Sequence, residues 1–140
     1  MNVYFETSAF FKLIVDEDGS AETLELWDAA DRVTGSRVTY AEARAALAAA
    51  SRGGRVTPAE MKMVRSRLEA RWDQFDIVEL DDEISRAAGD LAEAHALRGF
   101  DSVHLASASA LNDATLILAT WDVDLRRAAT EAGLRVAPAG

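Results

Sequence analysis

Cysteine is absent from the 140 residues, which excludes disulfide frameworks, thiolate metal sites and cysteine nucleophiles, and suits a reducing cytosol. Histidine is nearly absent. His95 and His104 stand without a second histidine at zinc-ligand spacing, so a buried, hydrogen-bonded role is the expectation for His104. No basic segment leads into an apolar stretch near the N-terminus, and no hydrophobic run approaches the length of a membrane span; the chain is expected to be soluble and cytoplasmic. A phosphate loop is missing, since Gly53-Gly54 lacks the lysine and spacing of one, and no nucleophile-elbow sequence surrounds Ser8. Basic residues are in short supply, 15 against 24 acidic, for a net charge of −9. That balance opposes nucleic-acid binding through a general basic surface. A divalent cation held by several carboxylates would reverse it locally, and arginines such as Arg37, Arg44, Arg65 and Arg71 remain for a basic rim.

What the chain has is alternation of short strands with helices, in a length that fits one domain over residues 1–140. Val3-Tyr4-Phe5 reads as a strand, with Thr7-Ser8 capping a helix through Ala9 to Val15. Ser20 caps a helix carrying Leu24 and Trp27, and Val33 to Ser36 is a second strand. Helices from Tyr40 to about Arg52 and from Thr57-Pro58 through Met61, Val64, Leu68, Trp72 and Phe75 form a hairpin at about 40–75. A third strand at Ile77 to Leu80 precedes a helix from about Asp82 to Ala96. Another helix opens near Asp101, Leu116 to Ala119 is a wholly apolar strand, Asp122 opens the last helix, and Leu134 to Val136 is a fifth strand candidate. Apolar rather than alternating strands predict an α/β domain, with helices on both faces of a parallel sheet.

Four acids, Glu6, Glu42, Asp101 and Asp122, each follow a strand or open a helix, where ligands bind in such sheets. Ordinary local roles compete for them. Thr39 and Glu42 have capping-box spacing, Asp101 and Asp122 read as N-caps, and Glu6 reads as a solvated strand end. Taken jointly, carboxylates at one end of a sheet suit a hard divalent cation such as Mg²⁺ or Mn²⁺. Such an ion could activate a water and stabilise charge on phosphate oxygens. Ser8 and Thr120 stand within reach as supporting hydroxyls, and Asp124 as a peripheral acid.

These residues fall in phrases that resemble the PIN-domain ribonucleases, in particular the VapC toxins of bacterial toxin–antitoxin pairs. Val3 to Leu13 carries the opening strand and acidic turn, Ser36 to Glu42 the second motif, Leu97 to Ala106 the third and most specific, and Thr120-Trp121-Asp122 the fourth. The likeness covers nearly the whole chain. It implies a three-layer α/β/α sandwich with a central parallel sheet of four to five strands, and a homodimer. It also implies metal-dependent endonucleolytic cleavage of RNA, with Glu6, Glu42, Asp101 and Asp122 as Mg²⁺ or Mn²⁺ ligands and Ser8, Thr120 and Asp124 in support. A VapB-like antitoxin whose C-terminal segment covers the acidic pocket is implied as partner, and an acidic toxin would complement a basic segment. Part of its groove is placed on the helical hairpin near Trp72 and Phe75, although core packing is the favoured reading of that stripe. Glu6 departs from the family's usual aspartate. Two other functions fit the same residues: a catalytically weak PIN-like module that mainly binds an antitoxin, and a small metal-dependent phosphoesterase.

Overall fold

The fold, taken from a computed structural model that describes residues 1–139, is a five-stranded parallel sheet covered by seven helices. In chain order the elements are β1 (Asn2–Phe5), α1 (Thr7–Lys12), α2 (Ser20–Ala29), β2 (Arg32–Ser36), α3 (Thr39–Arg52), α4 (Pro58–Trp72), β3 (Asp76–Val78), α5 (Asp82–His95), α6 (Gly99–Ala110), β4 (Ile117–Ala119), α7 (Val123–Glu131) and β5 (Arg135–Ala137). The sheet order is β3-β2-β1-β4-β5. Every neighbouring pair is parallel, with Val3 opposite both Val33 and Ile117. Chain order reverses direction at β1, which lies between β2 and β4. That switch point opens a crevice beyond the carboxyl ends of the strands.

The strands are apolar because both faces of the sheet are covered. All four residues of β1 are buried, and they alternate: Val3 and Phe5 face an aromatic layer, Tyr4 an aliphatic one. On the first side Phe5, Phe10, Trp27, Trp72 and Phe75 pack ring to ring, with centroids 5.1–6.2 Å apart. On the second, Leu105 of α6 and Leu125, Ala128 and Ala129 of α7 close over Tyr4 and Leu118. A third cluster joins Ile84 and Ala88 of α5 to Val103 and Ala106 of α6. Each large apolar side chain so enclosed contributes about 1.5–3 kcal/mol. The three-layer expectation holds, and no helix of the described residues is long and apolar enough to cross a membrane.

Several local expectations are corrected. The cap of α1 is Glu6 itself, whose carboxylate accepts from the Ser8 amide, rather than Thr7 or Ser8. That helix ends at Lys12, short of Val15. The Thr39–Glu42 capping box does not form: the N-cap of α3 is Val38, with no side-chain bond, because Glu42 is drawn across to other partners. In the helical hairpin the true capping box is at Thr57 and Glu60, beside Pro58. Trp72 and Phe75 turn into the aromatic layer, which is the core packing favoured for that stripe, and do not line a groove. Helix α6 starts at Gly99, so Asp101 lies inside its first turn and is not the cap. Gly19, at φ +90°, lies against the Trp121 ring, where a Cβ would stand 2.9 Å from a ring carbon; a side chain there would displace the tryptophan that precedes Asp122.

Candidate active site

The β1 and β4 strands deliver their ends side by side, and the residues that follow them interlock. Glu6 follows β1 and is buried. Its Oε2 accepts from the Ser8 amide at 3.1 Å, from the Ser8 hydroxyl, and from the Thr120 hydroxyl at 2.8 Å. Thr120 follows β4 and its oxygen also accepts from the Asp122 amide at 3.0 Å, while Ser8 accepts from the Trp121 amide at 2.8 Å. The two supporting hydroxyls thus tie the first acidic turn to the fourth. Asp122 caps α7, with Oδ1 accepting from Leu125 at 2.9 Å, so its local reading as an N-cap is correct for one oxygen. Asp124, two residues on, is exposed, and its side chain makes no hydrogen bond among the described residues.

Glu42 reaches the site from α3. Its Oε1 accepts from the Thr7 hydroxyl at 2.6 Å and pairs with Nε2 of His104 at 2.7 Å. A carboxylate can only accept, so Nε2 carries the proton and Nδ1 is left to accept from the Tyr4 hydroxyl at 2.8 Å. His104 and Tyr4 are fully enclosed, and burial pushes the Tyr4 phenol well above its ordinary range, which keeps it a neutral donor. Burial also works to raise the Glu42 pKa. The hydrogen bond from His104, with that from the Thr7 hydroxyl, outweighs it and holds the carboxyl below the ordinary glutamate value.

Asp101 and Asp122 are joined differently. The Arg98 guanidinium donates to Oδ2 of Asp101 at 3.2 Å and to Oδ2 of Asp122 at 3.4 Å, on a side chain 77% exposed. Burial, and then the charge of Asp122, lift the Asp101 pKa above the ordinary aspartate value despite that arginine. A half-buried acid pair left partly uncompensated is an electrostatic invitation to a cation.

The four acids therefore come to one end of the sheet, but in three hydrogen-bonded groups. Among the described residues no three acid or histidine side chains stand close enough to hold one metal ion. Like charges repel, and each has taken a local partner: hydroxyls for Glu6, His104 for Glu42, Arg98 for Asp101 and Asp122. The donor set nevertheless fits a hard cation. Among the described residues Glu6, Glu42 and Asp101 each use one oxygen for positioning and leave Oε1, Oε2 and Oδ1 respectively without a hydrogen bond. The cation paired with Asp101 and Asp122 is the solvent-exposed Arg98. Sequence reasoning missed Arg98 and Tyr4 and favoured a structural role for His104; Arg98 stood inside the third motif, three residues before Asp101, and that helical spacing was the available signal.

Comparison with known proteins identifies the family. The profile of the PIN domain matches residues 3–131. Ribonuclease VapC45 and Ribonuclease VapC49, from two strains of Mycobacterium tuberculosis, are each 48% identical over 137 residues, covering 98% of this chain and 95% of theirs. Among solved structures, VapBC-5 from Mycobacterium tuberculosis, a member of the VapBC family of toxin-antitoxin systems, superposes with a TM-score of 0.64 at 24% identity, covering 96% of each chain.

Proposed function

Since the chain belongs to the PIN-domain family, we propose that it is an endoribonuclease, the toxin of a toxin–antitoxin pair, cutting RNA at the carboxylate end of its sheet. The observation that carries this reading is the set of three positioned carboxylates, Glu6, Glu42 and Asp101, each with one oxygen unengaged, beside Asp122 at the switch point. These four would hold Mg²⁺ or Mn²⁺. Such an ion, when bound, lowers the pKa of a water and stabilises charge on phosphate oxygens during in-line displacement.

The chain's own residues do the rest. Ser8 and Thr120 fix Glu6 by its Oε2, so that the longer side chain at this position is anchored rather than loose. Thr7 and His104 fix Glu42, and the low pKa of that acid keeps it ionised at neutral pH. Arg98 neutralises Asp101 and Asp122 and, once displaced, stands ready for a phosphate oxygen. Asp124 adds negative charge to the rim of the same face. The protein acts in the cytoplasm as a homodimer, and its partner is a VapB-like antitoxin with a basic segment, which suits the net charge of −9.

The test is cleavage of a structured RNA pool by purified protein in EDTA, Mg²⁺ or Mn²⁺, beside Asp101→Asn. Metal-dependent cutting that vanishes in the variant is the expected result. A folded, antitoxin-free parent that cuts nothing would instead support the antitoxin-binding module, a reading that the separation of the acids favours. Hydrolysis of small phosphate esters with no effect on RNA would support the phosphoesterase.

A further inference from the structure

A cavity of about 800 Å³ lies between α5 and α6, within the roughly 300–1,000 Å³ of ordinary ligand sites. Leu80, Ala88, Gly89, Ala92, Phe100 and Val103 give it an apolar wall, and it shares Glu42, Arg98 and Asp101 with the acidic site. Phe100 immediately precedes Asp101 and is 58% exposed, an aromatic ring kept out of all three core clusters. Gly89 sits in the interior of α5, where glycine costs about 1 kcal/mol relative to alanine. A Cβ built there would meet nothing within 4 Å. Packing inside this chain thus gives no reason for glycine at 89 or for an exposed ring at 100; both leave room for something from outside.

The geometry points to this cavity as a subsite for one unstacked base of single-stranded RNA, lying on the Phe100 ring, with Gly89 leaving space for it and Arg98 facing the adjoining phosphate. The inference rests on the ribonuclease reading and deepens it. A chain of net charge −9 gains little from the sequence-independent attraction of phosphates, so affinity for RNA has to come from base contacts, and an aromatic platform supplies them for any base. Arg98 is the single basic residue in the cavity wall. A base held there adjoins Asp101, which sets a flanking nucleotide beside the carboxylates, and RNA recognition depends on bases splayed in this way. A second copy of the chain is the competing occupant, but it gives no reason for the cavity to share walls with Glu42 and Asp101.

The experiment measures anisotropy of a fluorescein-labelled, mixed-sequence single-stranded RNA in Ca²⁺, its integrity checked by gel, with the full chain and with Phe100→Ala, Phe100→Trp and Gly89→Leu. An abasic ribose-phosphate strand of equal length serves as the second probe. Phe100→Ala and Gly89→Leu are expected to bind RNA at least about 5-fold more weakly, the low end of one lost stacking contact. Phe100→Trp should bind like the parent, and the abasic strand should not distinguish the four proteins. Gly89→Leu gains helix propensity and loses no internal contact, so its melting temperature should not fall. Parental RNA binding by both Phe100→Ala and Gly89→Leu would overturn the subsite. So would a loss of binding that accompanies a halved chromatographic mass, which would make this face an interface between copies. Cutting by the parent is assayed separately in Mg²⁺. A parent that binds RNA through Phe100 but never cuts refutes the ribonuclease reading alone, whereas a parent that cuts while the variants bind normally refutes the subsite alone.

Discussion

Glu42 and Asp101 approach the same site from α3 and α6, and they are held in opposite ways. Glu42 is set by a buried chain of donors running back through His104 to Tyr4 in the strand layer. Asp101 shares an exposed arginine with Asp122. One half of the site is built into the core and the other is closed by an exposed arginine. Groups inside a low-dielectric network cost heavily when a partner is removed, while an exposed ion pair is worth little. The difference teaches that stability and cation affinity are divided between the halves: the Glu42 half is tied to folding, and the Asp101 half is where charge is left to be satisfied by something that binds.

The largest effect that would sharpen this contrast is on activity. Asp101→Asn keeps shape and removes one charge, and loss of several kcal/mol of transition-state stabilisation predicts at least about a 100-fold fall in metal-dependent RNA cleavage. Because the folded protein lifts the Asp101 pKa, ionised Asp101 costs stability at neutral pH. The same variant should therefore melt no lower than the parent, and a clear fall in melting temperature would break the contrast. Next in size is His104→Ala, which removes the partner of the buried Tyr4 hydroxyl and one of the two donors to Glu42 and should destabilise by about 1–3 kcal/mol for the buried group left unpaired, read by chemical denaturation. Arg98→Ala should change stability by less than about 1 kcal/mol yet bind Mn²⁺ more tightly in calorimetry, since a competing cation is gone; weaker binding would mean that Arg98 assists the metal instead of holding its place.

The smallest effect is in the pH dependence of stability. Glu42 has a folded pKa below its unfolded value, so its contribution is complete above the ordinary glutamate value and is lost as pH falls through the lowered one. Asp101 has a raised folded pKa, so its stability falls as pH rises from the ordinary aspartate value to the raised one. Denaturation of Glu42→Gln and Asp101→Asn across mildly acidic pH should shift the slope in opposite senses, and shifts of one sign would contradict the division.

Much of the fold was legible because its signals are local. The apolar runs at Val3 to Phe5 and Leu116 to Ala119 announced strands buried on both faces, and the turns after them placed Glu6 and Thr120 at the switch point. The helical stripe ending at Trp72 and Phe75 was legible as apolar, although only the ring packing with Phe10 and Trp27 identifies it as core. Partner choice was not legible. Glu42 and Thr39 have capping-box spacing, yet Glu42 pairs with His104, 62 positions away, because the topology lays α6 beside α3 and offers a buried donor stronger than a local amide. Arg98 to Asp122 spans 24 positions and is likewise set by the sheet order. Local patterns report what a segment can do alone, and the state of each acid depends on what the fold brings to it.

On the proposed reading, a bound Mn²⁺ would take the place that Arg98 holds between Asp101 and Asp122. A crystal structure grown with Mn²⁺, with anomalous scattering to locate the ion, tests it most directly. The account predicts manganese bounded by Glu6, Glu42, Asp101 and Asp122, with Arg98 withdrawn from the aspartates. Arg98 still bridging Asp101 and Asp122, and no anomalous signal among the four carboxylates, would contradict it.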